Sequence, residues 1–199
     1  MSNETKFIGI VLFDGVEELD AVGPWEVISY WCRLFPQDGW VVFTASEDGR
    51  LVECAKGMRI LPDYRFSEMP ALDVLIYPGG QGTRPQINDP NRLQWIRDQR
   101  AVAKIMASVC TGSLVYAAAG ILHGRPATTH WASLELLASL DTSIEVRDDA
   151  RFVDDGDVIT AAGVSAGIDM ALHLVDRLAG TKRAVQVRRG IQYDSLPPV

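Results

Sequence analysis

The sequence is poor in cysteine, in histidine and in positive charge, and each shortage excludes something. Three cysteines, Cys32, Cys54 and Cys110, stand among 199 residues. They are odd in number, widely spaced and form no CxxC pair. A disulfide framework and a zinc site are therefore not expected, and a reducing cytoplasm is the expected setting. Lys and Arg total 19 against 26 Asp and Glu, for a net charge of -7. A nucleic-acid-binding domain needs a basic face, and anionic lipid attracts basic clusters, so neither partner is expected. No apolar run approaches the roughly 20 residues of a membrane span. The FIGIVLF run at 7–13 stops at Asp14 and is too short for a span or a signal peptide. No GxGxxG or Walker loop is present, so nucleotide phosphate binding has little support, and no cofactor or metal is expected. Repeats, low-complexity tracts and linkers are also missing, which leaves one domain over residues 1–199.

What remains is 47% hydrophobic and 23% charged, ordinary for a chain that buries a core. Phe7 to Phe13 reads as a strand buried on both faces, as in a parallel sheet. A helix should follow, with Pro24 in its first turn and Trp25, Ile28 and Trp31 or Cys32 on its apolar face. Trp40 to Thr44 is a second strand. Leu51 to Leu61 holds one or two short strands broken near Gly57, placed by expectation at a sheet edge. Leu72 to Tyr77 is another buried strand and ends in Pro78-Gly79-Gly80-Gln81-Gly82. Asn88-Asp89-Pro90 opens a helix to about Gln99. Lys104 to Cys110 is a strand that runs straight into a small-residue helix ended by Gly120. Beyond it come a short strand at 125–129, an amphipathic helix at 131–140 and β structure at 144–146. A hairpin spans 151–161, a helix runs from Ser165 to Leu178, and a last helix precedes a proline-containing tail. Strands alternating with helices predict an α/β fold with a mostly parallel sheet.

In such sheets ligands bind at the carboxyl ends of the strands. Asp14 to Asp20, Pro78 to Gly82 and Cys110 each follow a strand, so parallel neighbours would bring all three to one edge. Cys110 on a strand-to-helix turn has the form of a nucleophile elbow, where a helix N-terminus would favour thiolate. Asp20 lies between apolar neighbours and could share or carry its proton. Glu17 and Glu18 read instead as a solvated loop or a cap. Backbone N–H groups of Gly79, Gly80 and Thr111 could form a hole for developing negative charge. His130, in TTHW, could border the same cleft or serve packing alone. His123 should be exposed, and His173 should pair with Asp169 one helical turn before it. Lys182, Arg183, Arg188 and Arg189 read as a solvated helix face.

Five segments together resemble the ThiJ/PfpI superfamily: VLFDGVEELDAVGPWEV, DVLIYPGG, SVCTGSLVYAAAGIL, GRPATTHW and GVSAGIDMALHLV. LD followed by AVGP, SVCTGS and ATTHW are most similar to its isocyanide hydratase branch. The resemblance implies a flavodoxin-like three-layer α/β sandwich of the class I glutamine amidotransferase-like type, usually a homodimer. It implies Cys110 as nucleophile, Asp20 as the acid bonded to it and Thr111 as the neighbouring site residue, acting on a small-molecule substrate without a cofactor. The expected reaction adds water to an isocyanide through a cysteine thioimidate and gives an N-substituted formamide. Cysteine-based redox or stress sensing, and glyoxalase or deglycase chemistry on small aldehydes, are the alternatives. Thr111 stands where protease members carry His, and Asp20 where redox and glyoxalase members typically carry Glu. Hydratase relatives tend to run further beyond Tyr193. Similar domains form the sensing half of some transcription regulators, for whose DNA-binding helices this length leaves no room.

Overall fold

The computed structural model describes residues 5–194. Strand β1 (Lys6–Val11) leads to helix α1 (Glu18–Leu34) and on to β2 (Trp40–Ser46). Next come β3 (Val52–Glu53), β4 (Arg59–Ile60), β5 (Tyr64–Arg65) and β6 (Val74–Tyr77). Helices α2 (Thr83–Gln86) and α3 (Pro90–Val102) precede β7 (Ile105–Val109) and α4 (Gly112–Ala118). The chain continues through β8 (Pro126–Ala127), α5 (Leu134–Leu140), β9 (Glu145–Val146), β10 (Phe152–Asp154) and β11 (Val158–Ala161), then α6 (Ala166–Ala179) and α7 (Thr181–Gly190).

Seven strands form one sheet in the order β10-β11-β7-β6-β1-β2-β5. Every neighbouring pair is parallel except β10 with β11. β6, β7 and β11 are buried along their whole length, which is why their sequences are mostly apolar, with only the small hydroxyls Ser108 and Thr160 interrupting β7 and β11. Helices α1, α6 and α7 pack on one another, and α4 packs with α2, α3 and α5. The chain moves from β1 to β2 in one direction and from β6 to β7 in the other. Right-handed crossovers therefore place these two helix groups on opposite faces of the sheet. The result is the three-layer α/β architecture expected from the sequence. Asp89 caps α3 by accepting from the N–H of Asn91 (2.9 Å) and Arg92 (3.3 Å), as the Asx-Pro signal predicts.

Several expectations need correction. Helix α1 starts six residues before Pro24, which sits in its interior. Proline removes the N–H that would otherwise bond the Asp20 carbonyl, a cost that favours helix starts. Tertiary packing overrides the preference: a Cβ on Gly23 would lie 3.1 Å from Ile168 Cγ1, so this turn is pressed against α6. Ile28 and Trp31 are fully buried as expected, whereas Trp25 is more than a third exposed. The 51–61 excursion is a separate antiparallel hairpin, β3–β4, and the sheet edge is held by β5. The hairpin is tied to the loop after β1, through Gly15 N–H to the Glu53 carbonyl (2.8 Å) and Ala55 N–H to the Val16 carbonyl (2.8 Å). His173 pairs with Asp154 (2.6 Å) rather than Asp169, because Asp169 is taken by Arg151 and by the Tyr193 hydroxyl. Arg183 is not merely solvated. It bonds Asp38 through Nε (2.7 Å) and stacks 3.6 Å over the Phe35 ring, while Asp38 also accepts from Trp31 Nε1 (2.7 Å). The proline-containing tail, from residue 195 on, lies outside the described residues.

Candidate active site

Cys110 follows the last residue of β7 directly and has φ +54°. That left-handed conformation is uncommon for a residue with a side chain and costs on the order of 1–3 kcal/mol. The surroundings hold it in place. Its N–H is shared between the carbonyls of Ala161 and Ala162, both at 3.0 Å. Its carbonyl accepts from Thr129 Oγ1 (2.9 Å) and Ser113 Oγ (3.0 Å). The elbow is therefore fixed by the adjacent strand β11 and by two buried hydroxyls. The sequence reading missed both Thr129 and Ser113. The signals for them were the hydroxyls of -SVCTGS- for Ser113 and of -ATTHW- for Thr129.

A second strained residue faces the first. Val164, between β11 and α6, has φ +46°, an outlier for a β-branched side chain. The backbone N–H groups of Val164 and Thr111 both point at the Cys110 sulfur and favour its charged form. Burial outweighs them. The thiol is 5% exposed, and burial, helped by the charge of Asp20, pushes it up to about 12. Desolvation thus works against the thiolate that the helix N-terminus and the two N–H groups favour.

Asp20 lies in the first turn of α1 and is fully buried. Its Oδ2 accepts from Gly79 N–H at 2.9 Å. Its Oδ1 is buried without a hydrogen-bond partner among the described residues, yet the carboxyl and the Cys110 thiol are close enough to shift each other's titration. Burial raises the Asp20 carboxyl to about 7, against the pull of the Gly79 N–H and the thiol. A carboxyl poised near neutrality beside a thiol can take a proton and return it.

Gly79 and Gly80 are present, but not as free donors. Gly79 N–H holds Asp20, and Gly80 N–H holds Thr111 Oγ1 at 2.9 Å. Their expected part in a hole for negative charge is corrected to one of positioning, and the N–H groups aimed at the sulfur come from Thr111 and Val164. Gly79 can only be glycine, since a Cβ there would lie 2.5 Å from Thr111 N and 2.8 Å from Asp20 Oδ2. The loops after β1 and β6 are zipped together by the Glu17 N–H to Gly79 carbonyl bond (2.9 Å) and a Val16–Gly80 bridge. This zipper carries Asp20 to its place.

Cys110, Thr111, Gly80 and His130 open on one cavity of about 240 Å³, walled further by Glu17, Ala55, Arg84, Ser133 and Val164. His130 does two things at once. It borders the cavity, and its Nδ1 accepts from Ala132 N–H (3.2 Å) to start the turn before α5. Glu17 and Glu18 correct the reading of a solvated loop or a cap: both engage Lys56 of the hairpin with less than a fifth of each side chain exposed, and the Glu17 side chain makes no cap hydrogen bond to α1. His123 is exposed and bonds Asp141 at 2.9 Å. A larger cavity of about 600 Å³ lies beyond Gly82, over the ends of β1 and β2. Its lining includes Asp14, Glu47, Asp48 and Asp89 but no cysteine, and its buried Arg92 is already paired with Glu47 at 2.6 Å. Among the described residues, no group of three or more His, Cys, Asp or Glu is arranged to hold a metal ion, and no helix is long and apolar enough to cross a membrane.

The chain is 40% identical over 191 residues to the isonitrile hydratase of Pseudomonas putida, covering 96% of this chain and 80% of that protein. It is 28% identical to the HTH-type transcriptional regulator GbdR of Pseudomonas aeruginosa, of which it spans about half (51%). A crystal structure of a ThiJ/PfpI family protein from Pseudomonas syringae superposes with a TM-score of 0.87 at 32% identity, covering 98% of this chain and 78% of that one. The family model for DJ-1/PfpI matches residues 6–177, nearly the whole of the described sheet and its helices: the chain is a member of the DJ-1/PfpI family.

Proposed function

We propose that this chain is an isocyanide hydratase, with Cys110 as nucleophile and Asp20 as proton carrier. The observation that carries the reading is the pair itself. A strained thiol on the wall of a small cavity has a buried carboxyl, raised to about 7, beside it. The 40% identity to a protein named isonitrile hydratase supports the reaction class.

The reaction is R–N≡C plus water, giving R–NH–CHO. Asp20, as carboxylate, takes the thiol proton while sulfur forms a bond to the isocyanide carbon. The same proton passes from Asp20 to that carbon, and the product is the thioimidate R–N=CH–S–Cys110. Water then adds across the C=N bond with Asp20 handling its proton, giving R–NH–CH(OH)–S–Cys110. The C–S bond breaks as the carbonyl forms, and the hydroxyl proton returns to sulfur. One hard addition is divided into two easier ones. The thiol needs no thiolate population of its own, because proton transfer accompanies attack. Thr111 and Val164 N–H groups steady the negative charge that grows on sulfur.

The raised thiol bears on the redox alternative as well. Oxidation of cysteine follows thiolate character and exposure, and burial at Cys110 works against both. A homodimer, which rests on the family resemblance, and a cytoplasmic setting, which rests on the sparse unpaired cysteines, are part of the same reading. To test the function, an aliphatic isocyanide is given to the purified protein and formamide is followed by NMR. Turnover in the wild type and none in Cys110→Ala is the expected result. Equal turnover in both proteins would sink the proposal.

A further inference from the structure

Arg84 is the cation of the cavity wall, and its charge is unmet. It sits in α2, and its guanidinium donates from Nη1 to Thr83 Oγ1 at 3.1 Å and from Nη2 to Ser133 Oγ at 3.4 Å. Both acceptors are neutral hydroxyls on buried residues. Among the described residues, no carboxylate lies within ion-pair reach of Arg84. Other arginines in the protein do have one: Arg92 has Glu47, Arg125 has Asp155 and Asp157, and Arg177 has Asp154. The one acid on the same cavity wall, Glu17, is engaged by Lys56. A guanidinium has five N–H donors in a planar fork. Here two bonds to neutral oxygens leave donors and the full charge for a ligand.

The position of this group relative to the chemistry follows from a short chain of contacts. Thr83 Oγ1, which accepts from Arg84, itself donates to Thr111 Oγ1 at 3.2 Å. Thr111 is the residue after the nucleophile. The guanidinium therefore stands two hydroxyls away from the elbow, on the wall of the cavity that holds the sulfur. That cavity, at about 240 Å³, is below the roughly 300–1,000 Å³ of sites for drug-sized ligands. A ligand with one end at Cys110 and an anionic end at Arg84 must be short. A carboxylate matches the planar fork with two parallel hydrogen bonds.

We propose that Arg84 anchors a carboxylate on the substrate, so that the preferred substrate is a small isocyano acid with a short spacer between carboxylate and isocyano nitrogen. The proposal rests on the hydratase reading for its reacting group, and on Arg84 alone for its charge. Isocyanoacetate and its neutral isostere isocyanoacetamide are compared as substrates of the wild type, Arg84→Gln and Arg84→Lys. The wild type is expected to favour the acid in kcat/KM by about tenfold or more, the range of a hydrogen bond to a charged group. Arg84→Gln removes that preference, chiefly through KM for the acid, and Arg84→Lys keeps part of it. Because each protein supplies its own ratio, a general loss of folded enzyme cancels. A ratio unchanged in Arg84→Gln, or a wild-type preference for the amide, overturns the anchor. Calorimetric binding of the hydration product N-formylglycinate, against N-formylglycinamide, needs no turnover. If neither isocyanide is hydrated but the acid binds more tightly and only with Arg84 present, the hydratase reading falls and the anchor stands. Equal binding of acid and amide by the wild type overturns the anchor whatever the turnover.

Discussion

The two edges of the central sheet use the same residue types in opposite ways. At the amino-terminal edge, Asp73 before β6 accepts from Phe7 N–H (2.9 Å) and pairs with Lys104 (2.7 Å). Asp157 before β11 pairs with Arg100 and Arg125, and Asp155 joins them. Each of these charges has a partner, and the sites are half open to water. At the carboxyl edge, Asp20 has an oxygen without a hydrogen-bond partner and Arg84 lacks a counter-charge. Two residues with side chains sit there at positive φ, one of them the thiol-bearing Cys110. Balanced, hydrated pairs join strands to loops. Unbalanced groups are costly to fold and become useful only when a ligand completes them.

The contrast can be broken most severely at Asp20. Asp20→Asn keeps an oxygen for Gly79 N–H but carries no proton between thiol and substrate. Hydration should fall by roughly 10²–10⁴-fold, the range for general acid–base catalysis. In the wild type, kcat/KM should rise with pH through an inflection near 7, where Asp20 gains the charge that accepts the thiol proton. The variant should lose that inflection.

The same substitution reads out in stability, with a definite sign. Burial raises the folded Asp20 carboxyl to about 7 from its ordinary value of 3.8. The native state therefore holds a proton that the unfolded chain releases, and stability is lost as pH rises between those values. Asp20→Asn should be more stable than wild type at pH 8, by at most about 4 kcal/mol, and should lose this advantage at pH 4. Thermal denaturation at the two pH values checks it, and an equal effect at both would mean that burial does not strain the carboxylate. Gly79→Ala should cost about 1–3 kcal/mol by overpacking, and should impair turnover by pushing Thr111 and Asp20 apart. At the other edge, Asp157→Asn should cost no more than about 1 kcal/mol, as for exposed pairs, with turnover unchanged. A large loss of activity there would erase the distinction between the edges.

Much of this site was legible in the sequence. Mostly apolar runs gave β1, β6 and β7, and the rule that ligands sit at strand carboxyl ends brought Asp20, Gly79, Gly80 and Cys110 together. The zipper between the loops after β1 and β6 is the physical reason that the rule held. What the sequence did not show was how each polar group is used. Gly79 and Gly80 read as free donors, but a buried carboxyl and a hydroxyl claim their N–H groups. Val164 was invisible because nothing in a GVSAG segment marks valine as the residue bent to positive φ. The opposing pull of burial on the thiol was not legible, because it depends on residues far away in sequence, Ala55 of the hairpin and the 130–133 turn, walling the same cavity. Pro24 misled in the same way: local preference favours a helix start, and packing of Gly23 on Ile168 outweighed it.

The central claim is that Cys110 bonds covalently to an isocyanide carbon with Asp20 moving the proton. Mass spectrometry of protein quenched during turnover tests it most directly. The account predicts an adduct equal to the mass of the intact isocyanide, on the peptide containing Cys110 and not on Cys32 or Cys54, and formed at least as fast as product. Formamide released at full rate with no adduct on Cys110 would contradict it.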